Sequence, residues 1–142
     1  MKPTSILIPF ILLLISSCSQ YDCCVLIDDE RSLVGKWQVF EYGYSPGGGY
    51  IVEQVPDSPV QILEFKAGGV FSSNYTGLKD FNTYRVLVDS ATDGYILSLA
   101  EVRTGRKSKE TAEYSLVGEG DHLKLYYRYC IEGCHIGIKP LR

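Results

Sequence analysis

The chain has 142 residues, enough for one domain with its own core. Its formal charge is −3 at pH 7, with 14 basic residues against 17 acidic ones, a balance that excludes the basic surface a nucleic-acid binder needs. Eleven Tyr, five Phe and fourteen Gly with a single Met predict strands and turns rather than helices, because aromatic side chains suit pleated surfaces and glycine suits tight turns.

The chain opens with a leader. Lys2 gives it a positive start, and residues 6–15 form an apolar run interrupted by Pro9. That run is about half of the ~20 residues a membrane-spanning helix requires, and it has the character of a signal-peptide core. Ile15-Ser16-Ser17-Cys18 follows directly. An aliphatic residue, two small residues and a cysteine resemble the lipobox of bacterial lipoproteins, whose cysteine is acylated and becomes the new N-terminus. The resemblance implies that residues 1–17 are removed and that Cys18 carries the lipid. The alternative is an ordinary signal cleavage that leaves Cys18 unmodified. Two or more acyl chains anchor a protein stably, at about 0.8 kcal/mol per buried CH2. Ser19 stands where lipoproteins kept in the inner membrane carry Asp. The resemblance therefore implies the outer membrane, at its periplasmic face or at the cell surface.

Residues 18–32 read as a polar tether. Strand candidates then follow at even spacing: 36–44, 50–55, 60–66, 70–75, 82–88, 94–102, 111–117 and 122–130. Turn sequences separate them, among them Ser45-Pro46-Gly47-Gly48-Gly49, Ala67-Gly68-Gly69, Asp89-Ser90-Ala91-Thr92-Asp93 and Gly118-Glu119-Gly120-Asp121. Alternation gives the strands an inner face: Leu123, Leu125, Tyr127 and Tyr129 against Lys124, Tyr126 and Arg128, and Tyr84, Val86 and Val88 against Arg85 and Asp89. Eight strands, mostly joined as hairpins, predict an all-β fold over residues 33–142. The expected form is an up-and-down barrel, which removes exposed edges. A β-sandwich fits the same alternation.

Gly35-Lys36-Trp37 opens the first strand and resembles the Gly-x-Trp motif of lipocalins. Phe65-Lys66-Ala67-Gly68-Gly69-Val70-Phe71 and Cys130-Ile131-Glu132-Gly133-Cys134 resemble segments of small lipocalin-like lipoproteins of Bacteroidota. The resemblance spans roughly residues 33–138. It implies an eight-stranded barrel in which Trp37 closes one end and an arginine packs over it, Arg128 first and Arg142 second. It also implies a small apolar or amphipathic ligand. Eight-stranded barrels either fill their interior or hold one such ligand. For a ligand, strand parity selects Tyr84, Val86, Leu97, Leu125 and Tyr127. For a filled barrel, the expected function is an interaction module of the outer membrane, with loops 45–50 and 103–109 meeting an envelope protein.

Lipidation of Cys18 leaves Cys23, Cys24, Cys130 and Cys134, which allow three connectivities. The favoured ones join the tether to the last strand, because closing loops of about 100 residues removes up to about 4–5 kcal/mol of unfolded-state entropy. A Cys130–Cys134 loop is the alternative. An exporting compartment favours disulfides over a zinc site built from these cysteines and His135, so no metal is expected.

The chain carries no Gly-x-Ser-x-Gly elbow, no His-Glu-x-x-His pair and no phosphate-binding glycine loop. No catalytic residue and no cofactor are expected, and the chain reads as a binding protein rather than an enzyme. Glu41, Glu53, Glu64 and Glu101 read as surface carboxylates beside Lys or Arg. Asp89-Ser90-Ala91 resembles the Asp-Ser/Thr-aliphatic O-glycosylation motif of Bacteroidota, which makes Ser90 a candidate for modification.

Overall fold

The computed structural model describes Ile27, residues 29–103 and residues 110–142. Cys18, Cys23, Cys24, the leader and residues 104–109 lie outside the described residues. A 3-10 helix, Glu30–Leu33, comes first. Nine strands follow: β1 (Gly35–Tyr44), β2 (Ile51–Gln54), β3 (Ile62–Lys66), β4 (Val70–Ser73), β5 (Thr83–Asp89), β6 (Gly94–Ala100), β7 (Thr111–Glu119), β8 (His122–Tyr127) and β9 (His135–Pro140).

Eight of them, β1 and β3 to β9, form a closed antiparallel ring, with β9 pairing back onto β1. The expected barrel is present and the sandwich is not. The membership of the ring, however, differs from the expectation. Its closing strand is β9, which the sequence pattern conceals: only Ile136 and Ile138 are apolar there, separated by Gly137 and stopped by Pro140. The strand it displaces is β2. Along β1, β9 takes one edge over residues 37–43, while β3 pairs with residues 35–38 and β2 with residues 41–44. Because β9 overlaps both, β2 and β3 share the other edge. They are two lengths of one strand. Val55 N–H donates to Phe40 O and Val39 N–H donates to Gln61 O, each at 2.8 Å, and residues 56–60 loop out between them.

A second irregularity positions the site. The β1–β9 register shifts between Val39 and Glu41, so that Val39 lies opposite Ile138 and Tyr42 opposite Ile136. Directly paired residues share a face. Val39 and Tyr42 therefore face the same side although they are three positions apart, as a β-bulge allows.

The interior is filled. Leu63, Leu97, Leu99, Leu123, Leu125 and Ile138 are fully buried, and Phe65 packs on Phe71 at 5.1 Å and edge-on to Tyr84 at 5.0 Å. Trp37 is buried, and its Nε1–H donates to Leu33 O at 2.8 Å. That bond ties the 3-10 helix to the first strand. Asp29 caps the helix by accepting the Arg31 and Ser32 amides. Gly35, at φ 144°, takes the turn from helix into strand in a region that L side chains rarely adopt.

Two expectations are corrected here. Arg128 does not pack over Trp37. It follows β8 at the end where Tyr126 pairs with His135 and His135 with Gly43, toward the far end of β1 from Trp37. Its guanidinium binds Asp89 at 2.7 Å and Ser115 Oγ at 3.2 Å instead. The disulfide bridges from tether to strand are also overturned, because Cys130 and Cys134 are bonded to each other. The chain reverses immediately after β8: Tyr127 N–H donates to Cys134 O at 2.9 Å and Gly133, at φ 77°, donates to Cys130 O at 3.3 Å. The reversal holds the two Cα atoms 5.7 Å apart, within disulfide reach. Local proximity wins over the larger entropy of a long loop.

Candidate functional site

Tyrosines gather at one mouth of the barrel. The bulge in β1 delivers Tyr42. Alternation in β7 points Ala112, Tyr114 and Leu116 inward, and all three are buried. Tyr127 of β8 lies opposite Tyr114, with ring centroids 5.4 Å apart and planes tilted by 46°. Tyr75 comes from the turn after β4, where Leu78, itself buried, bonds back to the Tyr75 carbonyl at 3.0 Å. These four tyrosines, with Gly43, Cys134, His135 and Ile136, line a hollow of about 210 Å3. A more open hollow of about 480 Å3, bounded by Phe81, Glu110 and Thr111 among others, shares Tyr114 and Tyr127 with it.

The electrostatics of the mouth are one-sided. Glu53 pairs with Tyr42 across β1 and β2 and accepts hydrogen bonds from the hydroxyls of Tyr42 and of Tyr44, the latter at 2.7 Å. Those two bonds hold its carboxyl below the usual carboxylate range. The bond to Glu53, reinforced by burial, pushes Tyr42 up to about 12. Burial pushes Tyr114 up to about 12, with Tyr127 and Tyr75 adding to it, and burial raises Tyr75 as well. At neutral pH the mouth therefore presents neutral phenols and an ionised carboxylate. The hydroxyls of Tyr75, Tyr114 and Tyr127 donate to no acceptor among the described residues.

Of the five residues that parity selects, Tyr127 alone lines this hollow. Tyr84, Val86, Leu97 and Leu125 lie at the core, not at the hollow: Leu97 and Leu125 are fully buried, Val86 packs against the core, and the Tyr84 hydroxyl donates to Lys66 O at 3.1 Å. Parity places these five against the interior but carries no information on whether that interior is empty, and it fails at the strand ends, where Val88 and Tyr129 are exposed and Asp89 is buried. Tyr114 was legible from the same alternation. Tyr42 was hidden by the bulge, and Tyr75 lies beyond the end of its strand.

His135, which the sequence offers only as a ligand of a disfavoured zinc site, has another place in the structure. It is 3% exposed and sits on the outer wall beside the mouth. Its Nε2 lies 3.0 Å from Glu41 Oε1, and the Tyr50 hydroxyl bonds to its Nδ1. Lys124 Nζ lies 3.8 Å from Glu41 and 2.9 Å from Glu119. Gly43 and Gly137 make the room, since a Cβ on the first would overlap His135 and on the second Glu41. Glu41 thus has its lysine as expected, but its closer partner is an imidazole. Glu64 lies 3.5 Å from Lys66, and Glu101 lies 2.5 Å from Arg103. Ser90 is exposed in the β5–β6 turn, beside a buried Asp89 that accepts the Ala91 amide at 3.1 Å. Among the described residues no group of three or more His, Cys, Asp or Glu is placed to hold a metal ion. Comparisons of the chain with protein-family models, with curated proteins and with solved structures find no match.

Proposed function

We propose that this chain is a lipocalin-like lipoprotein of the outer membrane, anchored through Cys18, that binds a small amphipathic ligand at the mouth of its barrel and performs no catalysis. The observation that carries the proposal is the set of three phenol hydroxyls, on Tyr75, Tyr114 and Tyr127, that meet at the mouth without a protein acceptor. None of the three is sealed from water, so each donor is open to a ligand atom. A ligand with an acceptor beside an apolar body takes up these donors and covers the rings, gaining burial as well as hydrogen bonds. The filled interior confines the ligand to the mouth, so the ligand is small or binds by one end.

The second reading is an interaction module, in which the barrel is a scaffold and its rim meets an envelope protein. The exposure of Tyr50, Tyr129 and Ile131 around the disulfide loop favours it. Native mass spectrometry of the purified chain separates the two. Ligand binding predicts a co-purified small molecule, and Tyr114→Phe or Tyr127→Phe is expected to weaken its retention about 2–10-fold, the worth of one hydrogen bond. A chain that carries no small molecule and instead retains a protein partner through Tyr129 and Ile131 would replace the first reading with the second.

A further inference from the structure

The mouth also indicates which chemical group it takes. Tyr42, Tyr75, Tyr114 and Tyr127 reach the hollow from two strands on one side, one on the other and a turn, so aromatic surface approaches it from several directions. At about 210 Å3 the hollow is smaller than the roughly 300–1,000 Å3 of drug-sized sites. It suits one compact head group. Among the described residues no Lys or Arg lines it. Glu53 lies one side chain behind the lining, where its carboxylate accepts the hydroxyls of Tyr42 and of Tyr44. A phenol that donates to a carboxylate gains electron density in its ring, and the ring face carries the negative part of an aromatic quadrupole. An anionic head group would meet Glu53 without a counter-ion. A neutral one would gain burial alone. A bulky organic cation gains burial, ring faces and the carboxylate together.

We propose that the mouth is an aromatic cage for a methylated ammonium group of the choline type, with Tyr42, Tyr75, Tyr114 and Tyr127 supplying ring faces and Glu53 the compensating charge. This rests on the proposal that the mouth binds a ligand and names the group it recognises. The unpaired hydroxyls of Tyr75, Tyr114 and Tyr127 would then meet the oxygen-bearing remainder of the ligand. Such a cation exists both as a free solute and as a lipid head group, and the cage chemistry is the same for both.

The test titrates the purified full chain with choline and with 3,3-dimethylbutan-1-ol, its uncharged isostere, followed by NMR shifts of the tyrosine rings. Choline is expected to bind about tenfold tighter than the isostere, the scale of one or two cation–π contacts, and to move the four mouth tyrosines. Tyr127→Leu is expected to lose that preference and Tyr127→Phe, which keeps the ring, to retain it. Tyr75→Leu, at a turn rather than in the ring of strands, serves if Tyr127→Leu does not fold. Glu53→Gln is expected to weaken choline severalfold and leave the isostere unchanged. Glycerophosphocholine binding tighter than choline identifies a lipid head group as the source, and the reverse order identifies a free solute; either supports the cage. Equal affinity for choline and its isostere overturns the cage and leaves ligand binding at the mouth standing. So does binding of dodecanol at the mouth tyrosines with no effect of choline. No shift with any of these compounds overturns both proposals.

Discussion

His135 and Glu41, 94 residues apart in sequence, meet at 3.0 Å on the outer wall because β9 pairs with β1. The Tyr50 hydroxyl bonds to Nδ1, and the Glu41 carboxylate accepts from Nε2. At 3% exposure the ring has little water to replace a lost partner. Glu41→Ala is expected to cost about 1–3 kcal/mol, the penalty of an unsatisfied buried donor, read as a lower urea midpoint at unchanged slope. Glu41→Gln keeps an acceptor and should lose less. Equal losses in the two variants would remove the hydrogen bond from the explanation.

The glycine opposite this pair is tested separately. A Cβ at Gly137 meets Glu41 and Phe40, whereas one at Gly48 meets nothing within 4 Å. Gly137→Ala should therefore destabilise by about 1–3 kcal/mol through overpacking, and Gly48→Ala should stay within about 0.5 kcal/mol of the parent. Thermal melts of the two variants decide it, and a melting point for Gly137→Ala that matches Gly48→Ala would contradict the close packing.

Peptide mapping without reductant should place Cys130 and Cys134 in one bridged fragment, two hydrogens lighter than its reduced form. Replacing both with Ser should cost about 2 kcal/mol, the chain-entropy value for so short a loop. A fragment that links either of them to Cys23 or Cys24 would return the tether bridges to consideration.

Tyr114 sets an alkaline limit. Burial raises its phenol to about 12 in the fold, above the value of about 10 for an exposed tyrosine. The folded state thus binds the proton more tightly. Its contribution is full below about pH 10 and is lost as pH rises toward 12. Absorbance at 295 nm should show Tyr114 ionising late, together with loss of the fold. Tyr114→Phe should flatten the alkaline decline in stability, and an unchanged decline would show that Tyr114 does not control it.

Local chemistry made the hairpins legible. Ala67-Gly68-Gly69 bends with φ of 82° and 76° at its glycines, and the β7–β8 turn places Gly120 at 63°, conformations that glycine adopts freely. Each of these turns is decided by residues that are adjacent in sequence. What the sequence concealed is non-local. Nothing in His135-Ile136-Gly137-Ile138 announces that β1 will accept it as a partner, and nothing near Pro56 or Pro59 shows that β2 and β3 lie in line. The bulge that turns Tyr42 inward depends on the same late pairing. For the site, alternation was enough for Tyr114 and Tyr127. Tyr42, Tyr75 and His135 owe their places to tertiary geometry, and so were visible only in the fold.

The ring is shut by β1 and β9, and the pairs it joins, such as Val39 with Ile138, stand almost the whole domain apart. The hairpins need only short chain excursions. This seam raises the contact order, and formation of such distant pairs is slow because the loop-closure entropy falls due before the contacts repay it. Until it forms, the curled sheet carries an open edge at each end, the kind of edge that templates aggregation. Closure of this seam thus removes both exposed edges at once, and with them the barrel's main route to aggregation.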